Sequence, residues 1–210
     1  MLDKLLKGYE RFRNGYFQQN REQLEKLAQQ QAPDVAMVSC CDSRVDTGIL
    51  FDADPGEIFV IRNVANLIPP FELKGDYHGT SAALEFAVTC LKVKEVMVLG
   101  HANCGGIRAL MENDGNIKKD GFIDRWMQIA APAKKEVLAR TDLNSLDEKI
   151  DACEKTAISY SLRNLLTHPW VRERVEQGKL QLVGYYYELH NGQLEKVDEI
   201  NADILAAEKK

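Results

Sequence analysis

Several things are scarce in this sequence, and each shortage removes a class of protein. No apolar run approaches the ~20 residues that a membrane-spanning helix needs, so no membrane association is expected. The first residues, Met1-Leu2-Asp3-Lys4-Leu5-Leu6-Lys7-Gly8, hold no signal-peptide core. Basic side chains are outnumbered: 27 Lys and Arg face 32 Asp and Glu, for a net charge of −5. Nucleic-acid-binding domains usually carry a basic excess, so nucleic acid is not an expected partner. The five cysteines are odd in number and lack paired spacing, which argues against a secreted disulfide framework. A reducing cytoplasm is the expected location, and it keeps thiols free for metal. No G-x-G-x-x-G follows any apolar run, so a dinucleotide-binding domain lacks its fingerprint. Repeats and linkers are missing too. The 210 residues, 45% apolar and 28% charged, therefore read as one domain, 1–210, with a sizeable core.

What is present alternates between short apolar runs and helical patterns. Residues 1–30 are polar and Gln-rich with Leu2, Leu5, Leu6, Tyr9, Phe12, Leu24 and Leu27 interspersed, which predicts an N-terminal arm of one or two amphipathic helices broken near Asn14-Gly15. Strands are expected at Val35–Ser39, Glu57–Asn63 and Lys94–Leu99, and a loop at Asn66–Phe71, where Pro69 and Pro70 deny a ladder its donors. Residues 79–91 read as a buried helix, Gly105 and Gly106 open another, and 119–178 read as helices broken near Gly121, Pro132, Asn144 and His168-Pro169. Lys179–Leu189 and Gln193–Val197 flank Asn191-Gly192, a hairpin signal that makes the last strands antiparallel. The fold class is thus α/β: a mostly parallel central sheet flanked by helices, with antiparallel C-terminal strands and an N-terminal helical arm. Sites in such sheets lie beyond the carboxyl ends of the strands.

Two clusters sit at those ends: Cys40-Cys41-Asp42-Ser43-Arg44 after the first strand and His101-Ala102-Asn103-Cys104-Gly105-Gly106 after the third. Adjacent strands would bring Cys40, His101 and Cys104 to one point. Two thiolates and an imidazole are good zinc ligands, and three protein ligands leave a fourth position open, as catalytic sites require. Asp42 and Arg44 then flank the metal. Cys90 and Cys153 read as small apolar core residues, and Cys41 as structural or redox-sensitive. His168 and His190 read as surface or capping residues, and the charged stretch Lys134–Glu154 as a solvated helix face.

Cys40-x-Asp42-Ser43-Arg44, followed about sixty residues later by His101-x-x-Cys104-Gly105-Gly106, resembles the β-class carbonic anhydrases of the plant-like subtype. Pro55-Gly56-Glu57, Phe59, Arg62-Asn63-x-Ala65-Asn66, Pro69-Pro70-Phe71 and Gly184-Tyr185-Tyr186 fall where those members carry them, and the likeness runs from about residue 8 to 197. The resemblance implies a lyase that hydrates CO2 reversibly to bicarbonate and a proton, with one Zn2+ per chain on Cys40, His101 and Cys104. It implies a zinc-bound hydroxide oriented by Asp42, with Arg44 holding that carboxylate. It also implies a pocket walled by Phe59, Val64 and Phe86, the last standing where relatives often have Tyr. Gln31 would enter from a neighbouring subunit, and N–H groups at Gly105 and Gly106 would hold bicarbonate. A homodimer, or a tetramer or octamer built from it, is implied, with the arm 1–30 packing on the partner. Arg62 and Tyr187 match two residues of the inhibitory bicarbonate site of regulated bacterial members, but Met37 replaces the Trp, so that site is not expected to work. His78, or buffer acting directly, would carry the proton away. Two other readings stay open: a hydrolase of the same fold acting on CS2 or COS, and a non-catalytic zinc-binding module.

Overall fold

The computed structural model describes residues 1–74, 78–112 and 121–208. The arm forms three helical pieces, α1 (Leu2–Asn14), α2 (Tyr16–Gln19) and α3 (Arg21–Leu27), where one or two were expected. The additional break falls at Asn20, whose side-chain Nδ2–H donates to the Tyr16 carbonyl and so competes with helix continuation. No α1 residue is buried. The end of the arm lies on its own chain: the Tyr16 hydroxyl donates to Asp54 Oδ1 at 3.1 Å, and Leu27 packs so tightly on Gly56 that a Cβ there would lie 2.5 Å from it.

The sheet begins with β1 (Val35–Cys40). After α4 (Thr47–Leu50), capped by the Asp46 carboxylate, comes β2 (Ile58–Asn63). A 3₁₀ turn, Val64–Asn66, leads to the Pro69-Pro70 loop, which is irregular as expected. Next, α5 (Gly79–Glu85) continues into a π-helical turn, Phe86–Leu91. Then β3 (Glu95–His101) feeds α6 (Gly105–Glu112). Helices α7 (Phe122–Met127), α8 (Ala131–Leu138), α9 (Leu146–Leu165) and α10 (Pro169–Glu176) follow. Pro132 sits in the first turn of α8, where its missing N–H costs nothing. Residues 119 and 120 of the expected helical stretch lie outside the described residues. The chain ends with β4 (Gln181–Tyr187), β5 (Leu194–Ile200) and α11 (Ala202–Glu208).

The strand order is β2-β1-β3-β4-β5, with the first four parallel and β5 antiparallel to β4. The chain leaves β1 for β2 on one side and returns to β3 on the other. That reversal creates a crevice at the carboxyl ends of β1 and β3, where α/β sheets place their ligands. Both strands run further than the apolar pattern suggested. Cys40 pairs with Asn63 and His101 with Tyr187, so two candidate ligands are themselves the last strand residues.

One face of the sheet presents Ala36, Val38, Val96, Val98 and Leu182 to Ile158, Leu162 and Leu165 of α9 and Val171 and Val175 of α10. The contact with α9 is close: a Cβ on Gly184 would lie 2.5 Å from Ile158 Cγ2, so β4 needs a glycine there. A second cluster joins Cys40 and Cys104 to Ile107, Met111, Met127, Ala133, Ile150, Cys153 and Ala157, and it forms the floor of the candidate site. Met37, Val45 and Leu99 pack on the opposite sheet face.

Three expectations about packing need correction. The helix at 79–91 is only half buried: Leu84, Ala87 and Val88 face the core, while Phe86 is 44% exposed and Cys90 is exposed rather than internal. His168 is fully buried, not at the surface, with its ring between Phe71 (5.6 Å) and Trp170 (5.0 Å). Glu154, on the stretch read as solvated, is buried beneath the site. Among the described residues no helix is long and apolar enough to cross a membrane.

Candidate metal centre

Cys40 closes β1, His101 closes β3, and Cys104 stands just before α6. Their ligating atoms lie within 4.8 Å of one another, and all three residues are buried. His101 Nδ1 is 2.9 Å from the carbonyl of Ala102, which takes its N–H and turns Nε2 toward the sulfurs. That Nε2 is buried and has no hydrogen-bond partner. A buried, orphaned imidazole nitrogen facing two thiols is costly in an apolar surround unless a cation sits among them. Two sulfurs and one nitrogen are a donor set suited to zinc.

The backbone prepares both sulfurs to be anions. Ala65 N–H donates to Cys40 Sγ at 3.3 Å, and Asp42 N–H also serves that sulfur. To aim its N–H, Ala65 adopts φ 62, a left-handed conformation that L side chains rarely hold. Cys104 receives N–H groups from Gly106 and Ile107 in the first turn of α6, where the helix dipole also favours negative charge. The Cys104 thiol donating to it, helped by the backbone N–H groups and against the effect of burial, makes Cys40 the easier thiol to ionise. Its thiolate, together with burial, then holds the Cys104 proton in place. A divalent cation between them removes that opposition, so metal binding and loss of the second proton go together.

Asp42 and Arg44 form a two-point clamp. Arg44 Nε donates to Asp42 Oδ1 at 2.9 Å, Nη2 to Oδ2 at 2.7 Å, and the Arg44 backbone N–H adds a third bond at 3.0 Å. This guanidinium holds the Asp42 carboxyl well below the usual carboxylate range. Asp42 Oδ2 stands 4.0 Å from His101 Nε2, beside the cluster. Arg44 Nη2 also donates to the Asn103 carbonyl at 2.9 Å, tying the two sequence clusters together.

Around this centre stand residues whose contacts sequence reasoning missed. Glu154 Oε1 accepts from Cys104 N–H at 2.7 Å, and its Oε2 from the Tyr186 hydroxyl at 2.8 Å. Burial pushes its carboxyl up to about 7. Arg62 donates to the carbonyls of Cys40, Asp42 and Val45 and so fastens the loop that carries Cys40 and Asp42. With its fork committed to those carbonyls and Met37 buried, Arg62 is a brace here. Asn103, with φ 55, meets His190 across the rim, its Nδ2 lying 3.2 Å from the ring Nε2.

Of the other expected site residues, Val64, Gly105 and Gly106 lie beside the cluster and Phe59 pairs with Phe86. Val64 lies against Gly106, where a Cβ would come within 3.0 Å of its side chain. The rings of Phe59 and Phe86 are 6.0 Å apart. Gly105 and Gly106 open α6, but the Gly106 amide is turned to Cys104. Gln31 is exposed before the start of β1, the end of the strand opposite Cys40, and lines a shallow groove with Leu24, Leu27, Pro55 and Gly56. Within one chain it does not reach the cluster: a six-residue strand separates them by about 20 Å.

The carbonic anhydrase family model matches residues 35–194, which include both clusters. Beta carbonic anhydrase 3 of Arabidopsis thaliana is 36% identical over 193 residues, covering 91% of this chain and 74% of that protein. The chain belongs to the β-carbonic anhydrases. Solved structures of this family share its fold. The β-carbonic anhydrase CcaA has a TM-score of 0.87 at 30% identity, covering 96% of this chain and 94% of that one. A tetrameric β-carbonic anhydrase of the ascomycete Sordaria macrospora has a TM-score of 0.79 at 28% identity, covering 93% and 96%.

Proposed function

We propose that this protein catalyses the reversible hydration of CO2 to bicarbonate and a proton at a zinc centre held by Cys40, His101 and Cys104. The observation that supports it most is the orphaned His101 Nε2 facing two thiols beside an arginine-clamped Asp42. Zinc held there supplies the Lewis acidity that makes water a nucleophile near neutral pH. Asp42 accepts a hydrogen bond from the attacking water and so aims a lone pair at the carbon of CO2. Arg44 keeps that carboxylate ionised and turned to its task. Phe59, Val64 and Phe86 form the apolar side of the pocket, and Gly105 at the opening of α6 offers a backbone N–H to the bicarbonate anion. CO2 hydration followed by stopped flow, with zinc assayed on the same sample, tests this reading.

Because Cys40 and Cys104 together offset the charge of a divalent ion, activating water here takes a more alkaline medium than three neutral histidines would need. Asp42 is ionised throughout the working range, since its folded carboxyl titrates below the ordinary value. Activity therefore rises from about pH 6 to about pH 9 with no acidic limb from Asp42. A flat profile over that range contradicts this.

We read the whole chain as a single domain that works as a homodimer or a larger assembly built from it. Leu2, Leu5, Leu6, Tyr9 and Phe12 give α1 an exposed apolar stripe, and Phe86 is uncovered on the body. A second copy would cover both, and its Gln31 would complete the pocket that this chain's own Gln31 does not reach. Sedimentation at micromolar concentration is expected to give a dimer or larger, and deletion of residues 1–14 to weaken it; a monomer counts against this. Five free thiols suit a reducing compartment, for which we assign the cytoplasm; tagged protein found only in an oxidising compartment would refute it.

A further inference from the structure

Each hydration releases one proton, which must reach solvent before the next turnover. The groups nearest the reacting water are poorly placed to carry it. Asp42 is kept ionised by Arg44, His101 is committed on both nitrogens once metal is bound, and Glu154 is enclosed under Cys104 and Tyr186. Of the other three histidines, His168 is fully buried, and His78 has its Nε2 on the Lys74 carbonyl at 3.1 Å. His190 differs from both. It is exposed in the loop 188–193 between β4 and β5, and its ring Nε2 meets Asn103 Nδ2 at 3.2 Å. The Asn103 carbonyl is held by the same Arg44 nitrogen that grips Asp42. A single residue thus separates an exposed imidazole from the Asp42–Arg44 clamp.

We propose that His190 is the proton acceptor at the mouth of the site. This rests on the CO2-hydration reading above. Water gives its oxygen to the carbon of CO2, forming one C–O bond, and the released proton passes through solvent to the His190 ring. The imidazolium then yields it to a buffer base, with no change of oxidation state. Imidazole is the side-chain type that gains and loses a proton between about pH 5 and 8. The Asn103 amide serves both states: its Nδ2–H donates to a neutral Nε2, and turned over, its Oδ1 accepts from Nε2–H of the imidazolium. The loop is steadied by His190 N–H donating to Glu188 Oε1 at 3.0 Å.

The test is stopped-flow CO2 hydration near pH 7 by the zinc-loaded wild type and His190→Ala, in dilute and in concentrated buffer. In dilute buffer kcat of the variant is expected to fall by about tenfold while kcat/KM stays within about twofold, because proton removal limits only the first. Added imidazole, or concentrated buffer, restores kcat. A variant with unchanged kcat in dilute buffer overturns the proposal. So does a parallel fall in kcat and kcat/KM that imidazole does not rescue, which marks a merely structural role. Wild type inert toward CO2 overturns the hydration reading itself, an outcome distinct from either.

Discussion

Cys104→Ser is expected to lower bound zinc from about one per chain to below about a tenth and to abolish CO2 hydration with it. Serine keeps the size of the side chain but not the thiolate. The N–H groups of Gly106 and Ile107 point at this sulfur, and a cation shared with Cys40 and the buried His101 Nε2 would draw off its proton. A hydroxyl stays protonated there and leaves the imidazole nitrogen orphaned. Cys90→Ser is the control, because Cys90 is exposed and outside the cluster, and it should retain both zinc and activity. Zinc by atomic absorption and hydration by stopped flow, on the same preparations, read the result. A Cys104→Ser protein with full zinc would remove this residue from the ligand set.

Asp42→Asn is expected to keep zinc and lose about 10²- to 10³-fold in kcat/KM, the scale of losing one positioned group at a reacting centre. Asparagine preserves the shape, but its amide N–H₂ donates where the carboxylate accepts, and it ends the charge-assisted fork to Arg44. Arg44→Ala tests the other half of the clamp. It leaves the Asp42 carboxylate intact but removes two of the three bonds that hold it, together with the Arg44 link to Asn103. A comparable loss is expected, partly recovered in Arg44→Lys, which returns the charge without the fork. If Asp42→Asn hydrates CO2 at the wild-type rate with zinc bound, Asp42 has no part in orienting water. The sign of the pH effect follows from the clamp. The Asp42 carboxyl is depressed in the folded protein, so its contribution to stability is present above the unfolded carboxylate value and is lost only as pH falls through the folded one. The fall in activity toward pH 6 therefore follows the activation of water and not protonation of Asp42.

The centre was legible because its chemistry is local in sequence. Cys40 with Asp42 and Arg44, and His101 with Cys104, are short motifs that follow β-branched runs, and a parallel sheet delivers such motifs to one edge. The mostly parallel sheet was legible from strands alternating with helices, and the antiparallel end from the Asn191-Gly192 hairpin signal. Residues brought in from a distance were not. Glu154 lies on a helix whose neighbours are charged, and nothing in that pattern separates a buried carboxylate from a solvated one; only the crossing of α9 beneath Cys104 does. Arg62 matched a residue of an inhibitory site not expected to work, and its three carbonyl partners were out of view in the sequence. Ala65 gave no sign of its positive φ, since alanine rarely adopts it and only the need to serve the Cys40 sulfur explains it here. His168 before Pro169 read as a surface or capping residue; it does stand at the N-cap position of α10, but the aromatic rings of Phe71 and Trp170, one of them distant in sequence, enclose its side chain. The arm is legible as amphipathic, yet what its α1 stripe covers is a matter of assembly, which one chain does not hold.

The most direct measurement is stopped-flow CO2 hydration at about pH 8.5 by the purified protein, with zinc determined on the same sample and Asp42→Asn as the control. Rapid hydration by protein holding about one zinc per chain, lost in the control that still holds zinc, is the expected result. Stoichiometric zinc without hydration would contradict the account, and CS2 and COS would then be the substrates to try on this scaffold.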